Sequence, residues 1–230
     1  MPSDSLVQEL AAIAAGRLGG NLRLLAVYGS AADHPQSAHD IDFILVVDAV
    51  ESCVTHATQD CRDHYRKVQF FVLNAQEYAD LPPVFRFQFT AARKIAGDLS
   101  LPTPSIRDAV EAVQHGFTDS LRTLRQQFKR REWAAADDWA RQVWWSLKSF
   151  KYALYDLCWI IRGERITDPL RAALVLEAEG CTKCARAITE WPSLENASSQ
   201  LLKDPIQWIH RWELLLSGAY LEARMLLKNR

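Results

Sequence analysis

The segment Ser5–Arg17 alternates apolar and polar positions at helical spacing, with Leu6, Leu10, Ile13, Ala14 and Leu18 on the apolar side, and Gly19-Gly20 stops the predicted helix. A short apolar run, Leu22–Tyr28, then reads as a strand broken by Gly29-Ser30, and a polar stretch from Ala31 to His39 carries Pro35 as punctuation. Ile41–Val47, rich in β-branched and aromatic residues, predicts a second strand, Val54–His64 a helix, and Lys67–Leu73 a third strand. Asn74 stands where a helix cap belongs, before the short segment ending at Tyr78. Pro82-Pro83 interrupts, Val84–Ala92 reads as helical, and Lys94–Gly97 as a short closing strand.

The pattern changes after the Pro-rich segment Leu99–Pro104, the candidate linker. Helical periodicity runs through 106–131 and 132–161, and shorter helices are expected over 169–179, 183–191 and 205–228. Mixed strands and helices followed by helices alone predict an α+β chain of two domains, residues 1–99 with a small mixed sheet and flanking helices, and residues 100–230 as an all-α bundle. No internal repeat interrupts this division.

Composition narrows the setting. With 230 residues, 49% of them hydrophobic and 24% charged, the chain can bury a core without staples. A net charge of −1 writes in no global attraction to nucleic acid or to an anionic membrane, so RNA binding would need a local patch. Arg93-Lys94 and the run from Phe128 to Arg131 are such clusters, short enough to read as solvated helix surface. No apolar run approaches the roughly 20 residues of a membrane span. Five irregularly spaced cysteines, with nothing resembling a secretory signal before them, suit a reduced, cytoplasmic protein. Cys181 and Cys184 form the one Cys-x-x-Cys; it lacks a second ligand pair and reads as two thiols near a helix start after Gly180 rather than half of a zinc site.

The chemistry lies between the first two strands. Gly29-Ser30 ends one, and Asp40-Ile41-Asp42 opens the next. Alternate residues of a strand share a face, so Asp40 and Asp42 are expected to point the same way, with Ile41 and Phe43 in the core. Two ionised carboxylates side by side repel unless a cation lies between them. Mg²⁺ takes one or two carboxylates together with phosphate oxygens and water, which suits a nucleoside triphosphate site. Gly29 permits close backbone approach, and the Ser30 hydroxyl can hold a phosphate oxygen.

An apolar strand, Gly-Ser, a spacer and Asp-x-Asp together resemble the signature of the DNA polymerase β-like nucleotidyltransferases, over roughly residues 22–97. The resemblance implies phosphate contacts for Gly29 and Ser30, and Mg²⁺ or Mn²⁺ binding and catalysis for Asp40 and Asp42. It implies transfer of a nucleoside monophosphate, from ATP first of all, to a hydroxyl of a small molecule, an RNA end or a protein. Members of this family supply a third carboxylate from a later strand. Here the matching stretch is Val68-Gln69-Phe70, with a neutral amide at that position. Three readings stay open: one metal with a base from elsewhere; a carboxylate from Asp48, Asp60 or Asp63; or a weakened transferase that acts as a nucleotide-binding regulator or antitoxin-like partner.

In relatives with a helical domain, that domain presents the acceptor, and basic residues of its long helix reach the triphosphate. Lys148 and Lys151 are the candidates, with Arg141 a heptad before Lys148. Asp137, Asp138, Asp156 and Glu164 are weaker candidates for an acceptor base. The eight tryptophans, Trp144, Trp145 and Trp159 among them, suit core packing or a homodimer interface better than base stacking. The six histidines show no zinc spacing.

Overall fold

A computed structural model describes residues 3–33, 36, 38–130, 136–196 and 205–228. It divides the chain into two compact units, Met1–Pro104 and Ser105–Arg230, meeting at the end of the Pro-rich segment.

In the first unit, α1 (Asp4–Leu18) starts on the Ser3 hydroxyl, which accepts from the Leu6 N–H, and buries Val7, Leu10, Ala11 and Ala14. β1 (Leu22–Tyr28) follows, then the one-turn α2 (Ser30–Asp33), β2 (Ile41–Val47) and α3 (Ser52–His64). β3 (Val68–Asn74) leads directly into α4 (Ala75–Ala79) through a capping box in which Asn74 and Glu77 satisfy each other's backbone N–H groups. α5 (Pro83–Phe89) stops three residues short of the expected end, because Thr90, Ala91 and Ala92 bond back in tight three-residue turns that feed β4 (Arg93–Gly97).

The sheet order is β3-β2-β1-β4. β1 is antiparallel to β2 and β4, and β2 is parallel to β3. Both faces are covered. Leu25, Val27, Phe43, Leu45 and Val47 pack under α1 and α3. Leu24, Ala26, Ile44 and Val46 pack under Leu81 and Phe89, with Phe71, Leu73, Tyr78, Leu99 and Leu101 around them. This double covering explains why β2 reads as an unbroken apolar run after Asp42 rather than an alternating one.

The second unit is helical in its described residues: α6 (Ile106–Arg130), α7 (Ala136–Arg162), α8 (Pro169–Ala178), α9 (Thr182–Asn196) and α10 (Pro205–Lys228). α6 and α7 pack closely, since a Cβ on Gly116 would come within 2.8 Å of the Ala153 Cβ. Phe117 meets Phe150 there at 4.5 Å between ring centroids. α10 packs on α9 and α6, and its Trp212 lies edge-on to Trp191 of α9 at 4.9 Å. Trp191, Trp208 and Trp212 are buried, so these three serve the core of the bundle. The side chains of Trp144, Trp145, Asp137, Asp138 and Arg141, and of the basic run 128–131, lie outside the described residues. Among the described residues no helix is long and apolar enough to cross a membrane.

Candidate active site

β1 ends at Tyr28 and the chain turns at Gly29, whose φ of 69° lies in the left-handed region that a Cβ disfavours. A Cβ there would stand 3.3 Å from Oδ2 of Asp42. The absent side chain therefore lets the Gly29-Ser30 turn close onto that carboxylate. Ser30 is exposed at the first residue of α2, and the Ala32 N–H donates back to the Gly29 carbonyl at 3.2 Å.

Asp42 is the second residue of β2. In the sheet register it faces Tyr28 on β1 and stands beside Gln69 on β3. Paired residues of neighbouring strands share a face, so Tyr28, Asp42 and Gln69 form one row. The next row on that face, Ala26, Ile44 and Phe71, belongs to the core. The polar row marks where this core ends: Tyr28 and Asp42 are half-buried and Gln69 is exposed.

Asp40 differs from expectation in how it is placed. β2 begins at Ile41, so a bend at His39-Asp40, not strand alternation, sets the position of Asp40. The charges of both carboxylates are felt at Tyr28. The Tyr28 phenol is pushed up to about 12, first by burial, then by the negative charges of Asp42 and Asp40. Tyr28 thus joins the site although its sequence offered only the apolar end of a strand; its signal was adjacency to Gly29.

Two carboxylates beside a neutral amide make a hard-oxygen donor set. It fits one Mg²⁺ ion whose other positions go to phosphate oxygens and water, and the space left at Gly29 admits such a ligand beside Asp42. Among the described residues no group of three or more His, Cys, Asp or Glu side chains converges to hold a metal by itself.

The other acids named from sequence sit elsewhere. Asp48, beyond the far end of β2, accepts from Arg23 at 2.9 Å. Asp60 and Asp63 lie on α3, against the opposite face of the sheet; Asp60 pairs with Arg17 and Asp63 accepts from Gln59. Glu164 pairs with Arg171. Lys148 and Lys151 lie on α7 of the second unit, and the Lys148 ammonium stands 5.9 Å above the Tyr152 ring. Asp156, also on α7, has its carboxyl pushed up to about 7 by burial, against the pull of Arg165.

No family model matches the sequence, and no curated protein matches it. Among solved structures the chain is similar to the spectinomycin adenyltransferase AAD(9) from Enterococcus faecialis, solved with ATP and spectinomycin. The identity is 12%, the TM-score 0.56, and the match covers 96% of this chain and 99% of that one. At this identity the likeness is one of fold: a small mixed sheet followed by a helical unit, the fold of a nucleotidyltransferase.

Proposed function

We propose that the chain is a Mg²⁺-dependent nucleotidyltransferase that moves a nucleoside monophosphate from a triphosphate, ATP foremost, to a hydroxyl acceptor and releases pyrophosphate. The observation that carries this reading is the closure of the Gly29-Ser30 turn onto Asp42, with 3.3 Å between a Gly29 Cβ position and Oδ2. Such a turn against a carboxylate pair brings a phosphate-binding backbone and a cation site to one place. That an adenyltransferase of the same fold was solved with ATP supports ATP as donor and a small molecule among the acceptors.

In this reading Asp40 and Asp42 hold the cation, Gly29 leaves room for the phosphates, and the Ser30 hydroxyl donates to a phosphate oxygen. Mg²⁺, or Mn²⁺ in its place, supplies Lewis acidity that offsets charge on the phosphates. Gln69 orients an acceptor oxygen through its amide but takes no proton from it. Residues 1–99 carry the transfer and residues 100–230 receive the acceptor. Five free cysteines support a reducing, cytoplasmic setting.

A second reading has its own observation. Gln69, beside Asp42, places a neutral group where the family resemblance implies a third carboxylate. This favours a weakened transferase that binds nucleotide as a regulator or an antitoxin-like partner.

The test incubates the protein with labelled ATP, GTP, CTP and UTP, Mg²⁺ or Mn²⁺, and pooled aminoglycosides, RNA and lysate protein, beside the Asp40→Ala/Asp42→Ala variant. Label transfer that disappears in the variant supports the transferase. Metal-dependent nucleotide binding without transfer supports the second reading, and neither binding nor transfer sinks both.

A further inference from the structure

The Cys181-Thr182-Lys183-Cys184 segment opens α9 and takes no part in the site described above. Cys181 is the residue just before the helix; its carbonyl accepts the first helical bond, from the Ala185 N–H at 3.0 Å. Cys184 stands three residues on. These are the two positions whose side chains reach each other's backbone N–H in a capping box, and here both carry thiols. Their backbone N–H groups go elsewhere: Cys181 N–H donates to the Leu176 carbonyl at 2.8 Å, and Oε2 of Glu222 on α10 accepts from Cys184 N–H at 3.1 Å and from Lys183 N–H at 2.6 Å. With Glu222 capping the helix, neither thiol is used by the cap, and the two side chains stand one helical turn apart at the start of α9.

We propose that Cys181 and Cys184 form a redox-active dithiol that peroxide oxidises to an intramolecular disulfide. Neighbouring side chains across the first turn of a helix lie close to the Cα separation of about 4.4–6.8 Å that a disulfide requires, so the bond needs only a local adjustment. The two sulfurs have unequal roles. The Cys184 thiol beside it holds the Cys181 thiol below the usual range, against burial and the negative charges of Glu222 and Glu179. Cys184 keeps its proton, which it donates to the Ala219 carbonyl at 3.1 Å. Cys181 is 3% exposed and Cys184 is fully buried, so the oxidant is a small molecule rather than another protein's thiol.

In the first step the Cys181 thiolate attacks one peroxide oxygen, the O–O bond breaks, and the leaving hydroxide takes up a proton to give water. The Cys184 sulfur then attacks the sulfur of the Cys181 sulfenic acid, the S–O bond breaks, and a second water leaves with the Cys184 proton. Two thiols and one hydrogen peroxide thus give one disulfide and two waters. The product forfeits the Cys184 bond to Ala219, which joins α9 to α10. The Trp191–Trp212 contact along the same seam reports that change.

The experiment treats the full-length protein with hydrogen peroxide and maps it by trypsin after blocking free thiols. Cleavage after Lys183 separates the two cysteines, so the disulfide joins peptide 172–183 to peptide 184–186. The expected result is that joined pair, a loss of two hydrogens in the intact mass, altered tryptophan emission, and reversal of all three by dithiothreitol. In Cys184→Ser, Cys181 stops at a sulfenic acid that dimedone captures; if that variant does not fold, the wild-type peptide map decides alone. Cys181 linked to Cys158, Cys181 driven to sulfinic acid with Cys184 still alkylatable, or both thiols untouched while Cys53 oxidises, would each overturn the proposal.

Discussion

Gln69 stands directly beside Asp42 in the parallel register of β2 and β3, on the face where the core gives way to the polar row. A carboxylate substituted there acquires a like charge as neighbour, which strengthens a shared cation site and offers a proton acceptor. Gln69→Glu is expected to raise the rate of transfer to a hydroxyl acceptor by about 10-fold or more, up to the roughly 10²–10⁴-fold of a positioned general base, and to tighten Mg²⁺ binding. Steady-state kinetics and metal titration check this. An unchanged or lower rate with tighter metal binding would exclude Gln69 as the limiting group.

Gly29→Ala separates a local strain from a loss of function. The left-handed φ costs a Cβ about 1–2 kcal/mol, and the methyl would press on Oδ2 of Asp42 at 3.3 Å. A modest fall in the denaturation midpoint is expected together with a much larger loss of nucleotide binding. Equal, small effects on both would mean that the turn does not serve the site.

Asp156 makes the helical unit sensitive to pH. Burial raises its carboxyl to about 7, so between about pH 4, the unfolded value, and pH 7 the folded chain keeps a proton that the unfolded chain has released. Stability therefore falls as pH rises through that window, by about 1.4 kcal/mol per pH unit at most, and levels off above it. Asp156→Asn should flatten the slope and be the more stable protein at pH 8. Urea melts from pH 4 to pH 8 on both proteins measure it.

Trp212 tests the α9–α10 seam. It is fully buried beside Trp191 and Trp208, and its indole nitrogen has no hydrogen-bond partner among the described residues. Trp212→Ala is expected to cost about 3–5 kcal/mol. Trp212→Phe should cost less than half of that, because it keeps an aromatic ring and sheds an unpaired N–H. Chemical denaturation of the three proteins distinguishes these outcomes, and equal costs would place the energy in indole contacts that phenyl cannot make.

The elements themselves were legible along the chain. β1 and β2 occupy the expected residues, and β3 is displaced by one. The fold, and the Gly-Ser and Asp-x-Asp segments within it, follow from local pattern because turn residues, caps and apolar runs act over a few neighbours. What local pattern lacked was the pairing of strands distant in sequence. That Tyr28 and Gln69 flank Asp42 depends on an antiparallel and a parallel register, which the whole core sets by burying alternate residues on both faces. The placing of Asp40 by a bend escaped the pattern for the same reason, since strand alternation says nothing about a residue one step outside the ladder. Likewise Cys181 and Cys184 announced only their spacing. Glu222 capping from another helix, and the bond from the Cys184 thiol to Ala219, arise only when α10 packs on α9. Sequence determined which groups are present and which elements carry them; tertiary packing decided which of them meet, because contacts between distant segments are selected by the burial of the entire core.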